Sequence, residues 1–326
     1  MIQKVALAGK GYVGGKIYDA LVDAGFEVTV LTRASGAAAA AAAAADPESA
    51  NPRTRAVDYS STKNLTEALL GQDSVVSALA PAAWEHHCKL LDAAVDAKVK
   101  HFIPSDYTSL STVPEVANLP YWKELATVQQ YLRDKVGSAG IKWTVLVAGP
   151  LLDCVLNGDY MYNFSEQTAL VTSDGDLEVR MTTGPFLGKA VARVLSKSEE
   201  LESGPVYVHE VVTTQNELLK MAEKLSSKEW PTQHVEADDT LQKGLGMVKA
   251  ILAQGGEPDM VSLFLIIHGT IFSGKYKVAW DGSGNDLLEL PSMSKDKLEG
   301  LVGTRVKGDV LYGGLPWNSV PKPRAE

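Results

Sequence analysis

Along the first half of the chain, short unbroken apolar runs alternate with segments whose apolar positions recur every three or four residues. Lys4 to Ala8, Glu27 to Thr32, Ser74 to Leu79, His101 to Ile103 and Trp143 to Val147 read as strands. Gly14 to Ala24, Asn64 to Leu70, Trp84 to Ala97 and Leu125 to Val136 read as helices. Strands alternating with helices imply βαβ crossovers, hence an α/β fold with a doubly wound parallel sheet. The strands lack polar alternation, as expected when helices cover both faces.

Beyond Leu152 the rhythm changes. Val206 to Val212 reads as one further strand, and Phe186 to Leu195 and Asn216 to Leu225 read as helices, while Tyr160 to Ser165 and Glu229 to Thr240 look irregular. This half reads as a cap on the substrate side, interleaved with the last elements of the sheet. Nine consecutive alanines occupy positions 37–45. They favour helix but carry no amphipathic pattern, and the run reads as a variable insertion after the second strand.

Charge narrows the partners. Lys and Arg number 31 against 40 Asp and Glu, a net charge of -9, which argues against nucleic acid or an anionic membrane and for a small-molecule ligand. The two cysteines, Cys88 and Cys154, make no disulfide framework or zinc spacing, and predict a reducing, cytoplasmic setting. The N-terminus has no signal-peptide pattern, and the longest apolar stretch, Met260 to Phe272, has 13 residues, too few to span a bilayer. The expected state is a monomer or homodimer.

The strongest motif is Gly9-Lys10-Gly11-Tyr12-Val13-Gly14, a GxGxxG between an apolar strand and a helix. The first glycine permits a tight turn, the second lets the backbone approach a pyrophosphate, and the third lets helix and strand pack closely. The helix N-terminus offers free N–H groups to phosphate. An NAD site normally ends its second strand in Asp or Glu, whereas this chain has Thr32-Arg33-Ala34-Ser35. An arginine there suits a 2′-phosphate, so NADPH is the expected cofactor.

These motifs, together with His101-Phe102-Ile103-Pro104-Ser105-Asp106 and Gly140-Ile141-Lys142-Trp143-Thr144 before Ala148-Gly149-Pro150, resemble the NmrA-like and isoflavone-reductase-like branch of the atypical short-chain dehydrogenases. The resemblance implies a Rossmann-type NADPH-binding domain over residues 1–153, with 183–225 returning to it. A smaller C-terminal substrate-binding cap would comprise 154–182 and 226–326. It further implies that Gly9, Gly11, Tyr12, Val13 and Gly14 hold the pyrophosphate and that Arg33 with Ser35 holds the 2′-phosphate. Asp58 would lie near adenine, and Ala80, Pro81, Pro104 and Ser105 would flank the nicotinamide ribose. Many members have GxxGxxG, so the turn here is one residue tighter.

The sequence departs from the family at the catalytic centre. Family reductases carry a lysine on the helix after the fifth strand, where the register from Tyr121 places Leu125. Lys123 lies two residues away, about 200° around an ideal helix, and serves as proton donor only if the helix starts late or irregularly, as Pro120 permits. Tyr121 is the second candidate, a phenol that protonates a carbonyl oxygen after hydride transfer. A second YxxxK, Tyr131 to Lys135, sits too near its helix end and reads as structural. His86-His87-Cys88 has no metal-site spacing.

Tyr107, in the loop after the fifth strand, is a candidate substrate contact. Phe264, His268 and Phe272 share one face of an apolar helix, and either border an aromatic substrate or pack the core. Tyr160, Tyr162 and Phe164 alternate, and form either an opposite wall or a half-buried strand. The expected function is NADPH-dependent hydride transfer to a C=C, C=O or C=N bond of a small, aromatic or unsaturated secondary metabolite. The alternatives are an NADP(H)-sensing regulatory protein without catalysis and a non-redox enzyme on the same fold.

Overall fold

The computed structural model describes residues 1–33, 53–79, 84–108, 110–136, 139–158, 160–277, 280 and 283–313. The alanine run, Ser35, Ala80 and Pro81 lie outside them. The first half runs β1 (Lys4–Ala8), α1 (Tyr12–Asp23), β2 (Glu27–Arg33), β3 (Arg53–Val57), α2 (Thr62–Leu69), β4 (Ser74–Ser77), α3 (Trp84–Asp96), β5 (His101–Ile103), α4 (Trp122–Lys135) and β6 (Lys142–Val147). It continues with α5 (Leu152–Asn157), β7 (Tyr162–Asn163), β8 (Thr168–Thr172), β9 (Val179–Met181), α6 (Gly184–Ser196), β10 (Gly204–Tyr207), β11 (Val211–Thr213) and α7 (Gln215–Ser226). The remainder is β12 (Thr232–Val235), α8 (Ala237–Ala253), α9 (Met260–Ile271), α10 (Ser283–Leu287) and α11 (Lys295–Val306).

Seven strands form one parallel sheet in the order β10-β6-β5-β4-β1-β2-β3. Sequence order reverses at β1 and β4, so the crevice that binds ligands in open α/β sheets lies beyond their carboxyl ends. The sheet is sandwiched as its unbroken apolar strands require. Val5, Leu7, Val30 and Val76 face a cluster with Ile17 and Leu21 of α1 and Leu187 and Val191 of α6. Ala6, Leu31, Val75 and Phe102 face the opposite cluster with Leu65, Leu90 and Leu132 of the helices α2, α3 and α4.

Two expectations from the pattern are corrected. Val206 to Val212 is two strands: β10 completes the large sheet at its edge, where Pro205 is tolerated, while β11 pairs antiparallel with β9. The break falls at the buried Glu210, whose carboxylate accepts from the Thr183 N–H at 3.1 Å and hydroxyl at 2.7 Å. The regions that look irregular contain β7 and β12, which flank β8 in a separate three-stranded sheet.

Helix α1 is gripped from two sides through glycines. A Cβ at Gly14 would lie 2.3 Å from the Gly9 carbonyl oxygen, and one at Gly188 of α6 would lie 2.3 Å from the Lys16 carbonyl oxygen. Side chains at these positions would separate the helix from its turn and from α6. Gly188→Ala is expected to lower unfolding free energy by about 1–3 kcal/mol, measured by urea denaturation.

The core also contains His101, 1% exposed. Its ring bonds Ser198 Oγ at 2.6 Å and Thr144 Oγ1 at 2.9 Å. Burial, with Lys142 nearby, lowers its pKa from 6.5 to about 4. Below 6.5 the unfolded chain takes up a proton that the folded chain refuses, so this stabilising contribution is present above pH 6.5 and is lost as pH falls toward about 4. Unfolding free energy measured across that range should therefore fall more steeply in the wild type than in His101→Gln. Equal slopes would show that His101 is not responsible.

Candidate active site

The carboxyl edge of the sheet is assembled by backbone cross-ties. The Gly9 N–H donates to the Leu31 carbonyl at 3.3 Å, and the Ala78 N–H to the Ala8 carbonyl at 2.8 Å. Gly9 has φ +91°, open to glycine, and a Cβ there would lie 3.0 Å from the Ala78 carbonyl oxygen. The turn after β1 is thus pressed against the strand end of β4. Gly11 is the opposite case: it is exposed, and a Cβ would meet nothing within 4 Å. It caps α1 without any side-chain acceptor for the helix's first N–H groups. Among the described residues, the space around Gly11 is therefore open on the side where a pyrophosphate would approach, and the first N–H groups of α1 are presented together.

Arg33 ends β2 exposed to solvent, and the Thr32 hydroxyl beside it is buried without a hydrogen-bond partner among the described residues. Tyr59 lies close to Arg33 and donates to the Leu31 carbonyl at 3.0 Å. Asp58 is exposed at the end of β3. Its carboxylate accepts from the Ser60 hydroxyl at 2.6 Å and N–H at 2.8 Å, contacts that hold it below its ordinary pKa. An arginine, an orphan hydroxyl and an accessible carboxylate therefore lie along the edge on the adenosine side of the turn. These groups, with the open glycine cradle, fit a 2′-phosphorylated dinucleotide.

On the other side, the loop after β5 is stitched to the end of β4. The Ser105 hydroxyl donates to the Leu79 carbonyl and the Tyr107 hydroxyl to the Ser77 carbonyl, each at 2.7 Å. Pro104 is buried between them and β5. The next acid, Asp106, is buried and accepts from Gln129 Nε2 at 2.7 Å and Thr108 Oγ1 at 2.9 Å. Loss of water raises its pKa, against the opposing pull of those bonds. It lies near both Tyr107 and Tyr121, whose phenols are pushed upward first by burial and then by this carboxylate.

Tyr121 caps α4 with φ +73° and ψ -55°, a strained conformation for a residue with a side chain. Its ring packs edge-on against Trp122 at 5.0 Å. The late helix start that would free Lys123 does not occur: α4 begins at Trp122, and Lys123 lies exposed in its first turn. Leu125 is 4% exposed and packs in a cluster with Leu110, Trp122, Leu241 and Ile266. The position that the family pattern assigns to lysine is filled by an aliphatic side chain between α4 and the helices α8 and α9.

Three of the expected substrate contacts meet. Tyr160 packs edge-on against Phe264 at 4.6 Å and His268 at 5.2 Å, and His268 lies 4.8 Å from Phe272. His268 is buried, bonds Thr172 Oγ1 at 2.6 Å through Nε2, and is pushed by burial to a pKa of about 3. It is a neutral, aromatic surface at neutral pH. Tyr162 does not join them: it is fully buried, donates to the Gln215 carbonyl at 2.9 Å and packs beside Phe164 in the cap core.

The sequence reading missed Asp153, an acid inside the apolar run Leu151 to Leu156. It is fully buried, and its carboxylate receives the Tyr12 hydroxyl and, at 3.0 Å, the Gly184 N–H. The side chain of Tyr12 is thus committed to the protein, leaving only its backbone to face a ligand. An acid interrupting an apolar stretch is the one signal that marks Asp153 in advance.

A cavity of about 650 Å³ opens at the opposite edge of the sheet, beside Ile2, Val99, Lys100 and Lys142. Two of its three lysines are already engaged: Lys142 Nζ donates to the carbonyls of Ser198, Glu199 and Leu201, and Lys100 pairs with Asp73 at 2.7 Å. Among the described residues no His, Cys, Asp and Glu cluster is able to hold a metal ion, and no helix is long and apolar enough to cross a membrane.

Comparison with known proteins agrees with this geometry. The chain is 28% identical over 303 residues to the oxidoreductase aprR of Aspergillus flavus, covering 91% of this chain and 97% of that one. It is 26% identical to pinoresinol reductase 1 of Arabidopsis thaliana, over 73% of this chain and 78% of the relative. The structure of AtPrR2 with NADP+ and (+)pinoresinol superposes with a TM-score of 0.72 at 21% identity, covering 93% of this chain and 98% of that one. The sequence model of the NmrA-like family matches residues 3–265, and the chain belongs to that family.

Proposed function

We propose that this protein is an NADPH-dependent reductase of a small aromatic or unsaturated metabolite. The observation that carries this reading is the glycine turn: Gly11 open to solvent, α1 uncapped, and Arg33 at the end of the neighbouring strand. In this reading the N–H groups of Tyr12, Val13 and Gly14 receive the pyrophosphate, Arg33 with Ser35 binds the 2′-phosphate, and Asp58 lies near adenine. Pro104 and Ser105 flank the nicotinamide ribose. Residues 1–153 with 183–208 form the cofactor half and 154–182 with 211–313 the cap; the expected return over 183–225 ends at β10, because β11 pairs with β9 and Leu218, Leu219 and Ala222 of α7 pack in the cap core. The oxidoreductase and pinoresinol reductase names of the relatives support the same class of chemistry.

Bound NADPH supplies a hydride; the chain orients the acceptor and provides the proton. Tyr160 and Phe264, only half-buried, offer aromatic surface to a flat substrate, and Tyr107 does so from the loop after β5; His268 is buried and packs against the rings of Tyr160 and Phe264. Tyr162 is buried behind that wall and acts on it only through the cap core. Tyr121 is the proposed proton donor: half-buried, strained at its backbone, and kept protonated by burial and by Asp106. Lys123 is the weaker candidate, because its side chain is exposed. Leu125 favours a second reading, in which the nucleotide is sensed and no chemistry follows, since no base occupies that position.

Fluorescence titration tests the cofactor half. Arg33→Ala should weaken NADPH binding about tenfold or more, as loss of a charge-assisted contact requires, and leave NADH nearly unchanged. Equal affinity of the wild type for both would remove the basis for NADPH. NADPH oxidation against a panel of quinones, enones and cyclic imines tests the chemistry. Tyr121→Phe should lower kcat by about a hundredfold with the best acceptor, whereas Lys123→Ala should change it little. Tight NADPH binding with no acceptor reduced would select the sensing role.

A further inference from the structure

We infer that Asp153 is a positioning residue for the cofactor, holding the glycine turn in its binding shape from the segment that leaves β6. The inference rests on the dinucleotide reading above. Tyr12 is the first residue of α1, so its backbone N–H belongs to the set facing a pyrophosphate. Its hydroxyl reaches across to the Asp153 carboxylate, 141 residues away in sequence. The other carboxylate oxygen accepts from Gly184, the first residue of α6, at 3.0 Å. One buried carboxylate thus ties the start of α1, through the Tyr12 side chain, to the start of α6, whose N-terminal N–H and positive dipole end meet it directly.

The surroundings of this carboxylate are close-packed. A Cβ at Gly184 would lie 3.2 Å from Asp153 Oδ2 and 3.2 Å from Lys16 Cγ. Lys16, one turn along α1, attracts Asp153 and donates to the Tyr312 carbonyl at 2.9 Å. Its ammonium lies 5.8 Å from the Tyr12 ring and 5.9 Å from the Tyr312 ring. Helix α6 needs only the bond to Gly184; the bond to Tyr12 serves the turn. It draws the phenol toward the start of α5, while among the described residues nothing would lie within 4 Å of a Cβ at Gly11. Without that anchor the ring is released at the mouth of the phosphate site, and the first turn of α1 loses its tether.

The test measures the affinity of the full chain for two ligands, NADPH and 2′-AMP, which has the 2′-phosphate but no pyrophosphate. Asp153→Asn and Tyr12→Phe should each raise the NADPH Kd about tenfold, and the double variant no more than the worse single, because both break one contact. Affinity for 2′-AMP should stay within about twofold in all of them. Tyr12→Phe removes one oxygen and keeps the buried carboxylate, so it carries the test if Asp153→Asn does not fold. Unchanged NADPH affinity, additive effects, or equal loss of both ligands overturns the positioning role. A wild type that binds no NADPH overturns the dinucleotide reading itself, whereas binding unaffected by either substitution overturns this inference alone.

Discussion

The close approach of α1 to the turn before it and to α6 behind it is the constraint on which the rest depends. Gly14 and Gly188 stand where any side chain would strike a backbone carbonyl. With α1 seated, its uncapped N-terminus is directed at the crevice beyond β1 and β4, where the order of the sheet reverses. With α6 pressed against α1, the chain after the cap segment is brought back to the sheet, and β10 completes the edge beside β6. Displacing α1 would alter the phosphate site and the return of the chain together.

How much of this is legible in the sequence follows from where the periodicity is strong. β1 and β5 match the reading residue for residue, because strands buried on both faces are unbroken apolar runs bounded by polar punctuation. Helix α4 begins three residues earlier than the pattern suggests, since Trp122 and Leu125 are buried by the cap and not by the sheet, and a tertiary contact of that kind leaves no local periodicity. The cap resists reading for the same reason. β12 is largely exposed and polar, and β7 has two residues. Such strands exist because β8 lies between them. Phe264 and His268 are visible as a helical stripe, whereas the meeting with Tyr160 depends on how β7 and α9 dock. Tyr162 shows the limit: alternation places it on a face, and only the fold decides which side that face is on.

Leu125 connects the chemistry to the architecture. In a helix packed only against the sheet, its position would face the crevice or solvent, and a charged side chain would be supported by water or ligand. Here α8 and α9 close over α4, and Leu110, Leu241 and Ile266 surround it. A lysine in that cluster would bury an unpaired ammonium, at a cost of several kcal/mol unless it gave up its charge. The aliphatic side chain and the tight cap therefore belong together. The polar groups gather instead between the loop before α4 and α4 itself, where Asp106 accepts from Thr108 and from Gln129 of α4 and lies near Tyr121.

The glycine turn and the aromatic group around Tyr160 thus differ in the chemistry they present. The glycine turn offers backbone N–H groups, which do not depend on side-chain identity and tolerate change wherever Gly9, Gly11 and Gly14 are kept. The aromatic group is drawn from distant parts of the chain: Tyr160 before β7 and Phe264 on α9 pack together, with the buried His268 against both. Burial keeps His268 neutral, so this group carries no permanent charge. Substitutions among these rings would leave the turn undisturbed, since the turn is tied instead to the starts of α5 and α6 through Tyr12 and Asp153. As long as that buried carboxylate stays in place, the aromatic group can change while the turn keeps its shape.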